Sequence, residues 1–98
     1  MANSNPNAPY GLLDSQGRVI PTSYNDLAFQ AEYAGNDLIY SGFARPGSST
    51  GAVVWQIRKM SYDGAGNILT ITWPENSQGN ASTKFEFEWD ERATYTFV

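Results

Sequence analysis

Apolar and polar positions alternate with a period of two through most of the chain after residue 27, which predicts strands rather than helices. Phe29, Ala31 and Tyr33 alternate with Gln30 and Glu32, predicting a half-buried strand whose apolar residues face inward. Ala34-Gly35-Asn36-Asp37 has the composition of a tight turn. The chain returns through residues 38–44, where Gly42 marks a bulge or a close backbone approach. Residues 45–51 read as a loop.

The strongest pattern is a hairpin of two strands, residues 52–62 and 68–73, joined by Asp63-Gly64-Ala65-Gly66-Asn67. Alternation assigns Val53, Trp55, Ile57, Leu69, Ile71 and Trp73 to the buried face. Pro74 cannot donate to a ladder and ends the second strand, opening a polar loop over residues 75–83. Residues 84–98 fit either period. A strand over 84–89, a turn at 90–92 and a last strand over 94–98 match the alternation and the Thr, Tyr and Phe content better than a helical turn carrying Phe85, Trp89 and Arg92. No internal repeat stands out. The expected fold is all-β, a small antiparallel sandwich or barrel of five to seven strands.

The first 24 residues lack this periodicity and hold Pro6, Pro9 and Pro21, which disfavour a central strand. They are expected to form an extended arm (residues 1–24) preceding a single β domain (residues 25–98), with a short hairpin turning at residues 15–17. A disordered tail and an arm that orders on a neighbouring subunit remain the two alternatives. In the second, Tyr10, Leu12, Leu13 and Ile20 supply the surface to be buried.

Composition removes much chemistry from a chain of this length. Its 98 residues contain no cysteine and no histidine. Disulfides, thiolate nucleophiles and cysteine-held metals are thereby excluded, as is imidazole general-base catalysis. A net charge of −4 with six basic residues leaves little to grip phosphate, so nucleic acid is not an expected partner. No apolar run reaches the roughly 18 residues of a membrane span, and the first seven residues lack a secretory signal's pattern. A soluble, unprocessed chain without cofactor is expected. Three Trp, six Tyr and five Phe provide the core, and any excess is available to a partner.

Carboxylates are the remaining candidates for catalysis. Glu86 and Glu88 fall on one solvent face of the expected strand, where edge protection accounts for them, and no enzymatic activity is expected. Asp63-Gly64-Ala65-Gly66-Asn67 lacks the alternating acids and terminal Glu of a calcium loop and reads as a turn. Trp55 and Trp73 fall on the inferred core face. Trp89, beside Asp90 and Arg92, is a candidate surface aromatic, for protein contact or for stacking a sugar.

The blocks Asp37-Leu38-Ile39-Tyr40-Ser41-Gly42-Phe43-Ala44-Arg45-Pro46-Gly47, Val54-Trp55-Gln56-Ile57-Arg58-Lys59-Met60-Ser61-Tyr62-Asp63, Ile71-Thr72-Trp73 and Trp89-Asp90-Glu91-Arg92-Ala93 resemble, in order and spacing, a small β domain recurring in virion structural proteins of tailed bacteriophages. The likeness spans residues 33–95. The opening Asn5-Pro6-Asn7-Ala8-Pro9-Tyr10-Gly11 resembles the start of some phage head and neck proteins. The segment between Trp73 and Trp89 is longer and more polar than the family pattern. The resemblance implies a virion component of head, neck, tail or fibre, assembled in the host cytoplasm through contacts with other virion proteins and with copies of itself. The interface candidates are then Tyr10, Leu12, Leu13, Ile20, Trp89 and Arg92. A carbohydrate-binding or host-recognition module, stacking a glycan on Trp89, is the rival expectation.

Overall fold

In chain order the strands are β1 Leu12–Leu13, β2 Val19–Ile20, β3 Ala28–Ala34, β4 Asp37–Ala44, β5 Gln56–Tyr62 and β6 Ile68–Thr72, followed by a 3-10 helix at Trp89–Thr94. They belong to a computed structural model that describes residues 12–21, 23 and 26–98. The fold is all-β. Strands β3-β4-β5-β6 form an antiparallel sheet in that order, β1 and β2 form a two-residue hairpin, and the larger sheet does not close on itself.

Three loops share one local design that alternation alone does not reveal. In Asp14-Ser15-Gln16-Gly17-Arg18, Asp63-Gly64-Ala65-Gly66-Asn67 and Asn76-Ser77-Gln78-Gly79-Asn80, the first side-chain oxygen accepts from the backbone N–H groups two and four residues on. The fourth residue is a glycine at φ +78°, +87° and +80° respectively. Each glycine donates its N–H to the first residue's carbonyl, and the first residue donates to the fifth. This is a three-residue hairpin loop with its left-handed position filled by glycine. The calcium-like pentapeptide is therefore fully occupied by its own turn, as expected.

Asp14 is the most enclosed of the three acceptors. Burial on its own would raise its pKa, but hydrogen bonds from the N–H groups of Arg18 and Gln16 and from the Arg18 guanidinium, at 2.9 Å, outweigh it and hold the carboxyl below 3.8. A depressed folded-state value means that this stabilisation is present above pH 3.8 and is lost as pH falls through the lower folded value. Amide exchange at Gln16 and Arg18 is expected to accelerate over that acid range and to become insensitive to it in Asp14→Asn. Amides in the unsubstituted chain that stay equally protected across the range would contradict the assignment.

The hairpin is part of the body rather than of a free arm. Ser15 donates its N–H to the Phe85 carbonyl and its hydroxyl to the Val53 carbonyl, Arg18 reaches the Ser48 hydroxyl, and Ile20 is 1% exposed. Residues 1–11, including Tyr10, lie outside the described residues.

The core lies on one face of the sheet, here the inner face. Trp55, Ile57, Ala44, Phe87 and Trp89 form its buried cluster, with Tyr40, Tyr95 and Phe97 packed against them. Gly42 makes the close approach that its position suggested: a Cβ there would stand 2.6 Å from Trp89 Cε3. The C-terminal segment departs from the expected strand–turn–strand. Phe87 makes an isolated bridge to Trp55 and Phe97 one to Pro74, with the 3-10 helix between them. The physical reason is the seating of Trp89. The i,i+3 spacing of a 3-10 turn brings Arg92 back over the Trp89 ring, 4.4 Å from its centroid, where it donates 2.8 Å to Glu32 and 3.0 Å to the Trp89 carbonyl. Residues 84–89 keep the expected alternation, with Phe85, Phe87 and Trp89 all buried, while a 3-10 helix running to Thr94 stands where a turn and the start of a last strand were expected.

Two faces are also inverted relative to expectation. In β3 the polar residues Gln30 and Glu32 share the inner face with Gly42 and Tyr40, leaving Phe29 and Tyr33 outside. In β6, Ile71 pairs with Met60 and so lies on the face of the sheet away from Ile57. Tyr62 pairs with Ile68, but the adjacent Ser61 pairs with Thr70, two residues on from Ile68, so Leu69 is inserted as a bulge. That single residue turns the rest of β6 over. Val53, Leu69 and Ile71, expected inside, are exposed.

Candidate assembly surface

Exposure on the outer face is not uniform. Its central strands are closed: Ser41, Gln56 and Met60 are buried, and the Arg58 guanidinium lies between the Phe43 and Trp73 rings, 5.2 and 4.9 Å from their centroids. Its outer strands are open. Phe29 and Tyr33 on β3 are 51% and 57% exposed, and Ile68, Leu69 and Ile71 on β6 are 51%, 62% and 49% exposed. Large apolar side chains therefore concentrate on the two strands that end the sheet. Such patches on a folded chain are surfaces for a partner or liabilities to aggregation.

The backbone repeats this picture. Among the described residues β3 and β6 each have a hydrogen-bonded neighbour on one side only. Strand β6 carries no charge and reads Ile68-Leu69-Thr70-Ile71-Thr72, a composition suited to pairing. Strand β3 carries one charge, Glu32, which is engaged by Arg92 on the inner face.

Of the residues named from sequence as interface candidates, Tyr10 falls outside the described set and Leu12 is placed by its backbone in β1. Leu13 is exposed beside Val19. Ile20 is core. Trp89 is 5% exposed, so the surface aromatic expected there is a core residue seated on Gly42 beside Trp55, ring centroids 6.3 Å apart. Arg92 is engaged by Glu32 and the Trp89 ring. Among the exposed apolar residues of β3 and β6, pattern analysis placed Phe29, Tyr33, Leu69 and Ile71 inside, and set only Ile68 on the face away from the core. The one trace in the sequence is the pair Ile68-Leu69, two apolar residues in succession where alternation allows one.

A polar cleft of about 450 Å³ opens elsewhere, lined by Glu75, Asn76, Gln78, Lys84 and Glu86 with Phe87 and Tyr95. Phe87 and Tyr95 meet edge to face at 5.1 Å, and the Tyr95 hydroxyl accepts from the Glu88 N–H. Burial pushes the Tyr95 phenol up, the nearby Glu88 and Glu91 charges add to the rise, and the Glu88 N–H opposes it. Glu86 accepts from the Ser82 hydroxyl at 2.6 Å, while Asp90 accepts from Thr50.

No helix among the described residues is long and apolar enough to cross a membrane. No family model matches the chain, and no match was found among curated proteins or among solved structures.

Proposed function

We propose that the chain is a structural component of a tailed-phage virion that works by protein–protein contact, with other virion proteins and further copies of itself as partners. The observation that carries the reading is the concentration of exposed apolar side chains on β3 and β6, the two open ends of the sheet. A surface of that kind is stabilised by burial against a neighbour. The resemblance of residues 33–95 to a phage virion domain supplies the kind of neighbour and the location, the assembled particle. The sandwich expected from sequence would then be completed by a second layer from a partner laid over the outer face.

The test compares particles assembled with the unsubstituted chain and with a Phe29→Ser, Tyr33→Ser variant. Both substitutions lie on exposed positions and should leave folding intact. The reading expects the unsubstituted chain to co-purify with particles at fixed copy number and the variant to be depleted at least about tenfold, the effect of losing two central apolar contacts. Equal incorporation of both chains would count against it.

Glycan recognition has one observation in its favour. With Trp89 in the core, a sugar would use the cleft of Glu75, Asn76, Gln78 and Glu86 beside Tyr95 instead. Binding of an isolated oligosaccharide that disappears in Gln78→Ala would favour that reading.

A further inference from the structure

The polar cleft stands apart from the assembly surface, since no residue of β3 or β6 lines it, and its walls are held by their own bonds. One wall is the loop from Asn76 to Asn80. Asn76 Oδ1 accepts the Gln78 and Asn80 N–H groups, and the neighbouring Glu75 N–H donates to the Thr96 carbonyl. The other wall is pinned by Ser82, itself buried, whose hydroxyl accepts the Lys84 N–H at 3.2 Å while donating to Glu86 Oε2 at 2.6 Å. A cleft of about 450 Å³ built this way is preformed and sized for a small molecule.

The groups that the walls leave over set the chemistry of that molecule. Among the described residues, no hydrogen bond or ion pair engages the Glu75 carboxylate, and Ser82 takes only one of the two Glu86 oxygens. Lys84 lines the same cleft without pairing to either carboxylate. Donors are left over as well: the Asn76 Nδ2 group, whose partner oxygen is committed to its own loop, the Gln78 amide, and the Tyr95 O–H, whose oxygen accepts from the Glu88 N–H. Burial raises the Tyr95 phenol and the Glu88 and Glu91 charges raise it further, so the potential at that wall is negative too.

Unengaged acceptors and donors around one space call for a ligand that offers both, which is the pattern of a sugar's hydroxyls. The bare methylene stem of a lysine side chain or a polyamine has little to pack on, because Phe87 is 6% exposed and Tyr95 is the only other aromatic in the lining. Charge narrows the class of sugar. A phosphate or uronate group meets two carboxylates against one exposed ammonium, whereas a protonated amine gains charge-assisted bonds from both carboxylates.

We infer that this cleft binds a saccharide bearing a protonated primary amine, with the ammonium held by Glu75 and Glu86 and the hydroxyls by the Asn76 and Gln78 amides and the Tyr95 O–H. The inference rests on the glycan reading of the cleft and names the class of sugar. It leaves the assembly surface on β3 and β6 untouched.

The test is calorimetric titration of the full chain at about pH 6, where the carboxylates are ionised and a sugar amine keeps its proton, with trisaccharides of glucosamine, of N-acetylglucosamine and of galacturonate. The glucosamine trimer should bind about tenfold or more tightly than the acetylated one, and the galacturonate trimer should not bind. Glu75→Gln should weaken binding of the glucosamine trimer about tenfold at an unchanged urea midpoint, since the Glu75 side chain makes no bond in the fold. Asp63→Asn removes the same charge outside the cleft, in a loop whose turn Asn76 shows an asparagine can make, and should leave the affinity unchanged. Amine binding that ignores Glu75→Gln, or that Asp63→Asn weakens as much, overturns the inference. Equal or tighter binding of the acetylated or the acidic trimer overturns it while leaving the glycan reading in place, and silence from all three sugars overturns both.

Discussion

Gly42→Ala is expected to destabilise the chain by about 3 kcal/mol, a large share of what a domain of this size has to lose. The added methyl would stand 2.6 Å from Trp89 Cε3, 2.9 Å from Cζ3 and 3.3 Å from Trp55 Cε3. Neither indole has room to retreat. Trp55 is fixed by its Nε1 donating 2.9 Å to the Ser49 carbonyl, and the segment bearing Trp89 is fixed by the Asp90 N–H on the Thr50 carbonyl and by Arg92 on Glu32. Overpacking here must therefore move backbone or force an indole off its rotamer. Urea unfolding followed by tryptophan fluorescence reads the effect as a lower midpoint at unchanged slope. An unshifted midpoint would mean that the Trp89 indole does not sit on Gly42.

Trp89→Ala carries the second large effect, a loss of about 4 kcal/mol. It empties the site above Gly42, removes the contact with Trp55, and takes away the ring beneath the Arg92 guanidinium, which loosens the tie to Glu32. The two substitutions share one space and should not add. In the Trp89→Ala background the methyl at Gly42 has room, so Gly42→Ala should be close to neutral there. A double-mutant cycle therefore returns a coupling of about 2 kcal/mol or more. Additive losses would place the two residues in separate environments.

Local chemistry made much of the fold legible. Gly35 and Asn36 mark the β3–β4 turn, Asp63 to Asn67 marks the β5–β6 turn, Pro74 follows the end of β6, and Gly42 marks a close approach. These signals depend on residues near each other in sequence. Orientation does not. Which face of β3 turns inward depends on Arg92, 60 residues away, waiting for Glu32. Which face of β6 turns inward depends on whether Leu69 is paired or bulged. Without the bulge, Tyr62 opposite Ile68 would place Ile57 opposite Trp73, and the apolar set assigned to the core would share one face. One inserted residue moves Ile71 to the outside.

The candidate surface was hidden for the same reason. Phe29, Tyr33 and Ile71 look like core by alternation, while Ile20 and Trp89, assigned to a partner, are core by packing. Trp89 stands among Glu88, Asp90, Glu91 and Arg92, a polar neighbourhood typical of an exposed residue. The 3-10 helix aims its indole inward regardless, because Gly42 leaves a space there. The recurring Asx-x-x-Gly loop was visible in principle, since Ser15-Gln16-Gly17 and Ser77-Gln78-Gly79 repeat a tripeptide, but its third copy shares only the acceptor and the glycine.

The central claim is that the chain works through the apolar side chains left outside its sheet. Quantifying the chain in purified particles, with and without Phe29→Ser and Tyr33→Ser, tests it most directly once both proteins have been shown to unfold at the same urea midpoint. The account predicts a fixed copy number for the unsubstituted chain and depletion of the folded variant. Particles that lack the chain altogether, or that take up both forms equally, would contradict it.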